Sequence, residues 1–192
     1  MSYFPIFINL EKKSCIIVGG GKVAHRKAAK MLSYGASVTV IAPEIEEEIY
    51  QLQRTYENVT IIEKQYEPSD LGGAFLVIAA TNDPEINHKV MEDAREIGAI
   101  TNNTIQENGE SCDMIFPATI QHGDLSIGIT TNGKSPEFAA RLREKIEQML
   151  PEDVDELIQK LGIMREDVKL IVEDEGERRK IINKMVDRVL SR

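Results

Sequence analysis

Residues 14–31, SCIIVGGGKVAHRKAAKM, constrain the rest of the chain more than any other stretch. Ser14–Val18 is rich in Ile and Val, the composition of a strand buried on both faces of a parallel sheet. Gly19-Gly20-Gly21 follows without a gap. Val23, Ala24, Ala28, Met31 and Leu32 then recur at helical spacing, and Gly35 stands where the left-handed residue past a helix end belongs. In this context Gly19-x-Gly21-x-x-Ala24 reads as a dinucleotide fingerprint with Ala in the last place. Gly19 allows the tight turn, Gly21 lets a pyrophosphate approach the backbone, and the N–H groups at the helix start bind that anion. A glycine-rich turn without a ligand is the alternative. The strand before it and the helix after it favour the ligand.

The pattern that follows extends one sheet. Ser37–Ala42 reads as a second strand ended by Pro43, and 44–54 as an acidic helix. Residues 59–62 form a third strand, 67–70 a loop, and the apolar run 74–80 the most central strand. A helix is expected over 83–97, with Asp83 as N-cap, Pro84 at the first helical position and Gly98 closing it; 99–102 starts another strand. Strands alternating with helices mean an α/β fold, a Rossmann-type doubly wound parallel sheet. Near Asn103 the alternation stops. Residues 114–116 and 125–130 are apolar runs joined by a turn at His122-Gly123-Asp124, which suggests a hairpin. Ser135-Pro136-Glu137 opens a helix whose apolar stripe is Phe138, Leu142, Ile146, Met149 and Leu150, stopped by Pro151. Residues 154–161, 164–172 and 177–190 read as three short helices. The expected division is 1–112, a nucleotide-binding domain; 113–150, a small α+β segment; and 151–192, a helical tail.

A formal net charge of −9 argues against nucleic acid or an anionic membrane surface as partner. No apolar run approaches the ~20 residues of a membrane span, and the N-terminus lacks the pattern of a signal peptide. The two cysteines, Cys15 and Cys112, show no metal-ligand spacing, so no metal site is expected and a reduced, cytoplasmic setting is.

The candidate chemistry sits at strand ends. Where an acid usually binds ribose hydroxyls, the chain has Ala42-Pro43 with Glu44 next. No Arg stands at 41–45 to receive a 2′-phosphate, which favours NAD over NADP. Thr81-Asn82-Asp83 follows the apolar strand at its carboxyl end; Asp83 caps the helix and leaves Thr81 and Asn82 for ligand, while Asn102 ends the next strand beside the same cleft. Thr130-Thr131-Asn132-Gly133-Lys134-Ser135 offers hydroxyls and a cation to a carboxylate, with Arg141 and Lys145 further along one helical face. Capping is the safer role for Ser135, and His122, in a turn, is available for acid–base work near neutral pH.

Taken together these pieces resemble the precorrin-2 dehydrogenase family, the dehydrogenase/ferrochelatase part of siroheme synthase. The matching stretches are Phe4-Pro5-Ile6-Phe7, Val18-Gly19-Gly20-Gly21-Lys22-Val23-Ala24 with Arg26-Lys27, Ile41-Ala42-Pro43-Glu44 and Ala79-Ala80-Thr81-Asn82-Asp83. Cys112-Asp113-Met114-Ile115-Phe116-Pro117-Ala118, Gly133-Lys134-Ser135-Pro136 and Arg141-Leu142-Arg143-Glu144 continue the order. The resemblance implies a Rossmann domain, a dimerisation segment over 113–150 and a helical C-terminal domain, in a homodimer with the active site between subunits. It implies NAD-dependent oxidation of precorrin-2 to sirohydrochlorin, NAD contacts at Lys22, Val23, Pro43 and Glu44, a phosphorylatable serine at Ser135, and in some members insertion of ferrous iron. The methyltransferase part of the fused enzymes is not expected here. A polycarboxylate substrate needs local cations, for which Lys134, Arg141 and His122 are the candidates.

One departure matters. The family's catalytic aspartate closes an Asn-x-x-Asp pattern after the fifth strand, and here the pattern reads Asn102-Asn103-Thr104-Ile105 or Asn103-Thr104-Ile105-Gln106. Glu107 is the nearest acid and is taken as the acid/base candidate; Glu110 and Asp113 lie beyond it. The departure puts metal insertion in question more than NAD binding. It also keeps open a module that binds NAD or a tetrapyrrole without turnover, beside a dehydrogenase of another small anion.

Overall fold

The computed structural model describes residues 3–104 and 112–190. It divides into two compact units, Tyr3–Ile115 and a second beginning at Phe116.

In the first unit, β-branched residues build five parallel strands: β1 (Ser14–Val18), β2 (Ser37–Ala42), β3 (Val59–Glu63), β4 (Leu76–Ala79) and β5 (Ile100–Asn103). Their order is β3-β2-β1-β4-β5. The central strand is therefore β1, not the apolar run 74–80, although all four residues of β4 are buried. The chain moves outward from β1 to β3, then returns to β4 on the other side of β1. That reversal opens a crevice beyond the carboxyl ends of β1 and β4.

Helix α1 (Lys22–Leu32) buries Ala24, Ala28, Met31 and Leu32 against the sheet. Gly35, at φ +75°, ends it as expected: its N–H donates to Leu32 O (2.9 Å) and that of Ala36 to Met31 O (3.2 Å), a Schellman pair. Helix α2 (Glu47–Thr55) begins later than the expected 44, because Glu46 N–H donates to Gly20 O (2.9 Å) and holds the preceding residues against the glycine turn. Residues 68–71 form a short 3-10 turn rather than plain loop, boxed by Glu67 and Asp70. Helix α3 (Pro84–Glu96) is capped by Asp83, which accepts from Glu85 and Ile86 N–H. Its Val90, Met91 and Ala94 join Ile16, Val18, Val77 and Ala79 in one core.

In the second unit, β6 (Ala118–His122) and β7 (Leu125–Ile129) form the antiparallel hairpin. His122 pairs with Leu125, so Gly123-Asp124 is a two-residue turn, and counting back from it ends the first arm at Ala118. Residues 114–116 thus lie before the hairpin, separated from it by Pro117, which has no N–H for a ladder. Helix α4 (Pro136–Met149) follows, capped by Ser135 Oγ. Of its expected stripe, Leu142, Ile146 and Leu150 are half-buried, but Phe138 is 60% exposed and Met149 80%. Helix α5 (Val154–Ile171) runs unbroken through Gly162, where two helices were expected; a mid-helix glycine costs only about 1 kcal/mol. Helix α6 (Glu175–Leu190) completes the unit.

Candidate functional site

The crevice at the sheet reversal is a cleft of about 840 Å³. One wall is the glycine turn. Gly19 has φ +128°, and a Cβ there would collide with the Ala80 carbonyl; a Cβ on Gly20 would collide with the carbonyl of Glu44. Both glycines are thus consumed by close packing of three chain segments. Gly21 differs: its φ of −93° is ordinary, and a Cβ would meet nothing within 4 Å. The open space in front of Gly21 is where an anion would approach. Behind it, α1 starts without a side-chain cap, and its first internal bond is His25 N–H to Gly21 O (3.0 Å). The N–H groups of Lys22, Val23 and Ala24 therefore have no intrahelical acceptor. These features fit a pyrophosphate.

Pro43 and Glu44 form a second wall, and Thr81 and Asn82 a third. Gly19, Gly20, Gly21, Pro43, Glu44, Thr81 and Asn82 are thus brought together as the sequence suggested. The side chains of Lys22, Val23 and Ala24 are not part of the walls; Ala24 is fully buried on the core side of α1, and Lys22 and Val23 are exposed. Thr81 is less free than expected. Its hydroxyl lies 2.8 Å from Asn87 Oδ1 and 3.0 Å from Asp83 O. Asn102 does not line this cleft: it is 5% exposed and its Nδ2 donates to Met114 O (2.9 Å).

Sequence reasoning missed Tyr66, Ile86 and Lys89, which also line the cleft. They come from the β3 exit and α3, and nothing local in sequence ties them to the glycine turn. Tyr66 donates to Asp93 Oδ2 (2.8 Å); burial, together with that carboxylate, pushes the phenol well above its ordinary pKa, so it stays a donor. Lys89 brings a cation to a cleft whose other charged lining residues, Glu44, Glu46 and Asp83, are acidic.

The remaining candidates lie in the second unit. His122 Nε2 is 3.8 Å from Glu147 Oε1, and Glu147 also pairs with Arg143, so the imidazole, though 42% exposed, faces a carboxylate. Ser135 Oγ caps α4 by accepting from Phe138 N–H (3.3 Å). Lys134 and Arg141 are exposed, without an ion-pair partner among the described residues. Glu107 and Glu110 lie outside the described residues. Asp113 is held at β5: its Oδ2 accepts from Thr101 N–H (3.0 Å) and Oγ1 (2.6 Å). Among the described residues no group of three His, Cys, Asp or Glu side chains could hold a metal ion, and no helix is long and apolar enough to cross a membrane.

Comparison with known proteins bears on the cleft directly. The family model described as putative NAD(P)-binding matches residues 6–118, more than half of the chain. The chain belongs to this NAD(P)-binding family. A second model, described as the central part of a sirohaem biosynthesis protein, matches residues 122–149. Siroheme synthase of a Psychrobacter species is 37% identical over 169 residues, which are 88% of this chain and 34% of that protein. Siroheme synthase 3 of Aeromonas hydrophila is 34% identical over 186 residues, 97% of this chain and 39% of that one. The chain thus spans little more than a third of the length of these curated relatives. A solved structure titled SirC, precorrin-2 dehydrogenase, superposes with a TM-score of 0.75 over 96% of this chain and 89% of its own, at 24% identity, and shows the same fold.

Proposed function

We propose that this NAD(P)-binding chain oxidises precorrin-2 to sirohydrochlorin, a step of siroheme biosynthesis, with NAD as the hydride acceptor. One observation carries the reading: the NAD(P)-binding match over 6–118 is followed directly by a sirohaem-biosynthesis match over 122–149, in a chain similar to siroheme synthases. The oxidation removes a hydride and a proton from the macrocycle. NAD, when bound, supplies the hydride acceptor. The residues do the rest. The amides at Gly20, Gly21 and the start of α1 hold the pyrophosphate. Glu44 accepts from the ribose hydroxyls, and its charge disfavours a 2′-phosphate. Pro43, Thr81 and Asn82 confine the cofactor, and Asn102 braces the neighbouring strand end. Lys134, Arg141 and His122, with Ser135 at the helix start, gather the substrate's carboxylates. The reading includes a homodimer, in which 113–150 is the dimerisation segment and 151–192 a helical domain, working in the cytoplasm.

Ferrous iron is a second substrate only weakly, because the family's aspartate is missing and Glu107 stands in for it. The test is an assay of purified protein with precorrin-2 and NAD, following sirohydrochlorin absorbance, then with ferrous iron added. Turnover with NAD is expected. Glu107→Ala should lower residual metal insertion by about 10²–10⁴-fold, the usual worth of a positioned general base, and leave NAD binding intact. Iron insertion that is robust and survives Glu107→Ala would move the base to Asp113, His122 or water. Tight NAD or tetrapyrrole binding without any turnover would favour the binding module that the lost Asn-x-x-Asp pattern suggests.

A further inference from the structure

We propose that Asn87 is the positioning residue that sets the shape of the cofactor cleft; this rests on reading the cleft as the NAD site. Asn87 lies on α3, fully buried, on the face that carries Val90, Met91 and Ala94 into the core. A leucine at that point of an apolar stripe would satisfy the packing. A buried amide instead has to find partners, and this one finds all of them on a single residue. Its Oδ1 accepts from Thr81 N–H (3.0 Å) and lies 2.8 Å from Thr81 Oγ1, and its Nδ2 donates to Thr81 O (3.1 Å). Both backbone polar groups and the side chain of Thr81 are thus read by one carboxamide.

Thr81 is the point where the chain leaves β4 and turns along the cleft. The residue before it is tied to β1: Ala80 N–H donates to Val18 O (2.8 Å), and the Ala80 carbonyl packs against Gly19. The residues after it are tied to the start of α3 by the Asp83 cap. Asn87 closes the remaining freedom between these two anchors. It touches no cleft space itself, so it acts through Thr81, by sparing the cofactor the cost of ordering the loop.

The experiment uses the full chain, wild type and two variants, with two readouts. One is amide hydrogen exchange without cofactor; the other is the dissociation constant for NAD. In Asn87→Leu, exchange at Thr81 and Asn82 should rise while the amides of β4 and α3 stay protected, and NAD should bind about 10-fold more weakly. Asn87→Asp separates positioning from packing. A neutral carboxyl can donate to Thr81 O and accept from Thr81 N–H as the amide does; an ionised one cannot donate and faces a carbonyl. Relative to wild type, its NAD affinity should recover toward pH 5 and fall toward pH 8. The charges around the cleft, Glu44, Glu46, Asp83 and Lys89, are the same in both proteins and divide out. Folded variants with wild-type affinity and a protected Thr81 amide would overturn the proposal. So would a loss of affinity matched by equal deprotection throughout β4 and α3. Failure of the wild type to bind NAD would instead refute the reading of the cleft, and the exchange data would still decide whether Asn87 locks Thr81.

Discussion

Three adjacent glycines serve two different ends. Gly19 and Gly20 are required by the fold, since a side chain on either meets a backbone carbonyl that cannot swing aside. Gly21 is required by nothing in the protein, because its backbone is ordinary and the space before it is open. Gly21→Val should therefore cost stability only at the helix start, where Gly21 is the N-cap and valine a poorer one, about 1 kcal/mol, while NAD affinity falls at least ~10-fold. Gly20→Ala should do the reverse of a clean lesion: it displaces the 43–46 segment, breaks the Glu46-to-Gly20 bond, and lowers melting temperature and affinity together. Calorimetric melting and NAD titration of the two variants make the comparison. Unchanged NAD affinity in Gly21→Val would remove the pyrophosphate from the glycine turn. The fingerprint already gave Gly19 the turn and Gly21 the pyrophosphate; it did not show the packing of Gly20, which depends on a carbonyl brought in from Glu44.

At the scale of elements, the strand most in need of explanation is β5, an edge strand whose outer side has no partner strand among the described residues. Residues 112–114 cover it with side chains and backbone in place of a ladder. Asp113 Oδ2 takes the Thr101 N–H and hydroxyl, Met114 N–H reaches Thr101 O (3.4 Å), and Cys112 Sγ accepts from Asn103 N–H (3.1 Å). Thr101 is fully buried, so Asp113→Ala would leave its N–H unpaired at a cost of about 1–3 kcal/mol. Urea unfolding should show that loss, and NAD affinity should change little, since Asp113 does not line the cleft. A stability equal to wild type would mean that the edge is held by other bonds. This clasp pairs residues about ten positions apart across a polar stretch of sequence, so no local pattern announced it. What local pattern did announce was every element with punctuation: Gly35 and Gly98 ending helices, Asp83-Pro84 and Ser135-Pro136 starting them. Where punctuation was absent or misleading the reading slipped. Gly162 looked like a break inside α5, and the apolar run 114–116 looked like a strand until the hairpin turn set the register. Asn87 left one legible trace, a polar residue on the apolar face of α3.

The two units differ in how well a single copy can bury its apolar surface. Every strand of the five-stranded sheet contributes buried side chains, whereas among the described residues of the second unit only Ile120, Ala139, Leu157 and Val168 are buried apolar side chains. No residue of β7 is buried, and a two-stranded hairpin is at best marginal in water without further packing. Phe138, beside the capped start of α4, is 60% exposed; Met149 at its other end is 80% exposed. The proposed homodimer would bury this surface as one half of an isologous interface. The expected outcome is a dimer in sedimentation equilibrium at micromolar concentration. In Phe138→Glu, each copy loses an aromatic contact worth about 1.5–3 kcal/mol and gains a charge at the interface. Two-fold symmetry doubles the effect, so dissociation should strengthen by at least ~10²-fold. The cleft is lined by residues of the first unit alone, so NAD affinity per chain should persist even as the dimer fails. A wild-type monomer across the micromolar range would leave the exposed face of α4 to some other partner, and an unchanged dimer in Phe138→Glu would move the interface to the end of α5, where Leu170 and Ile171 are 85% and 80% exposed.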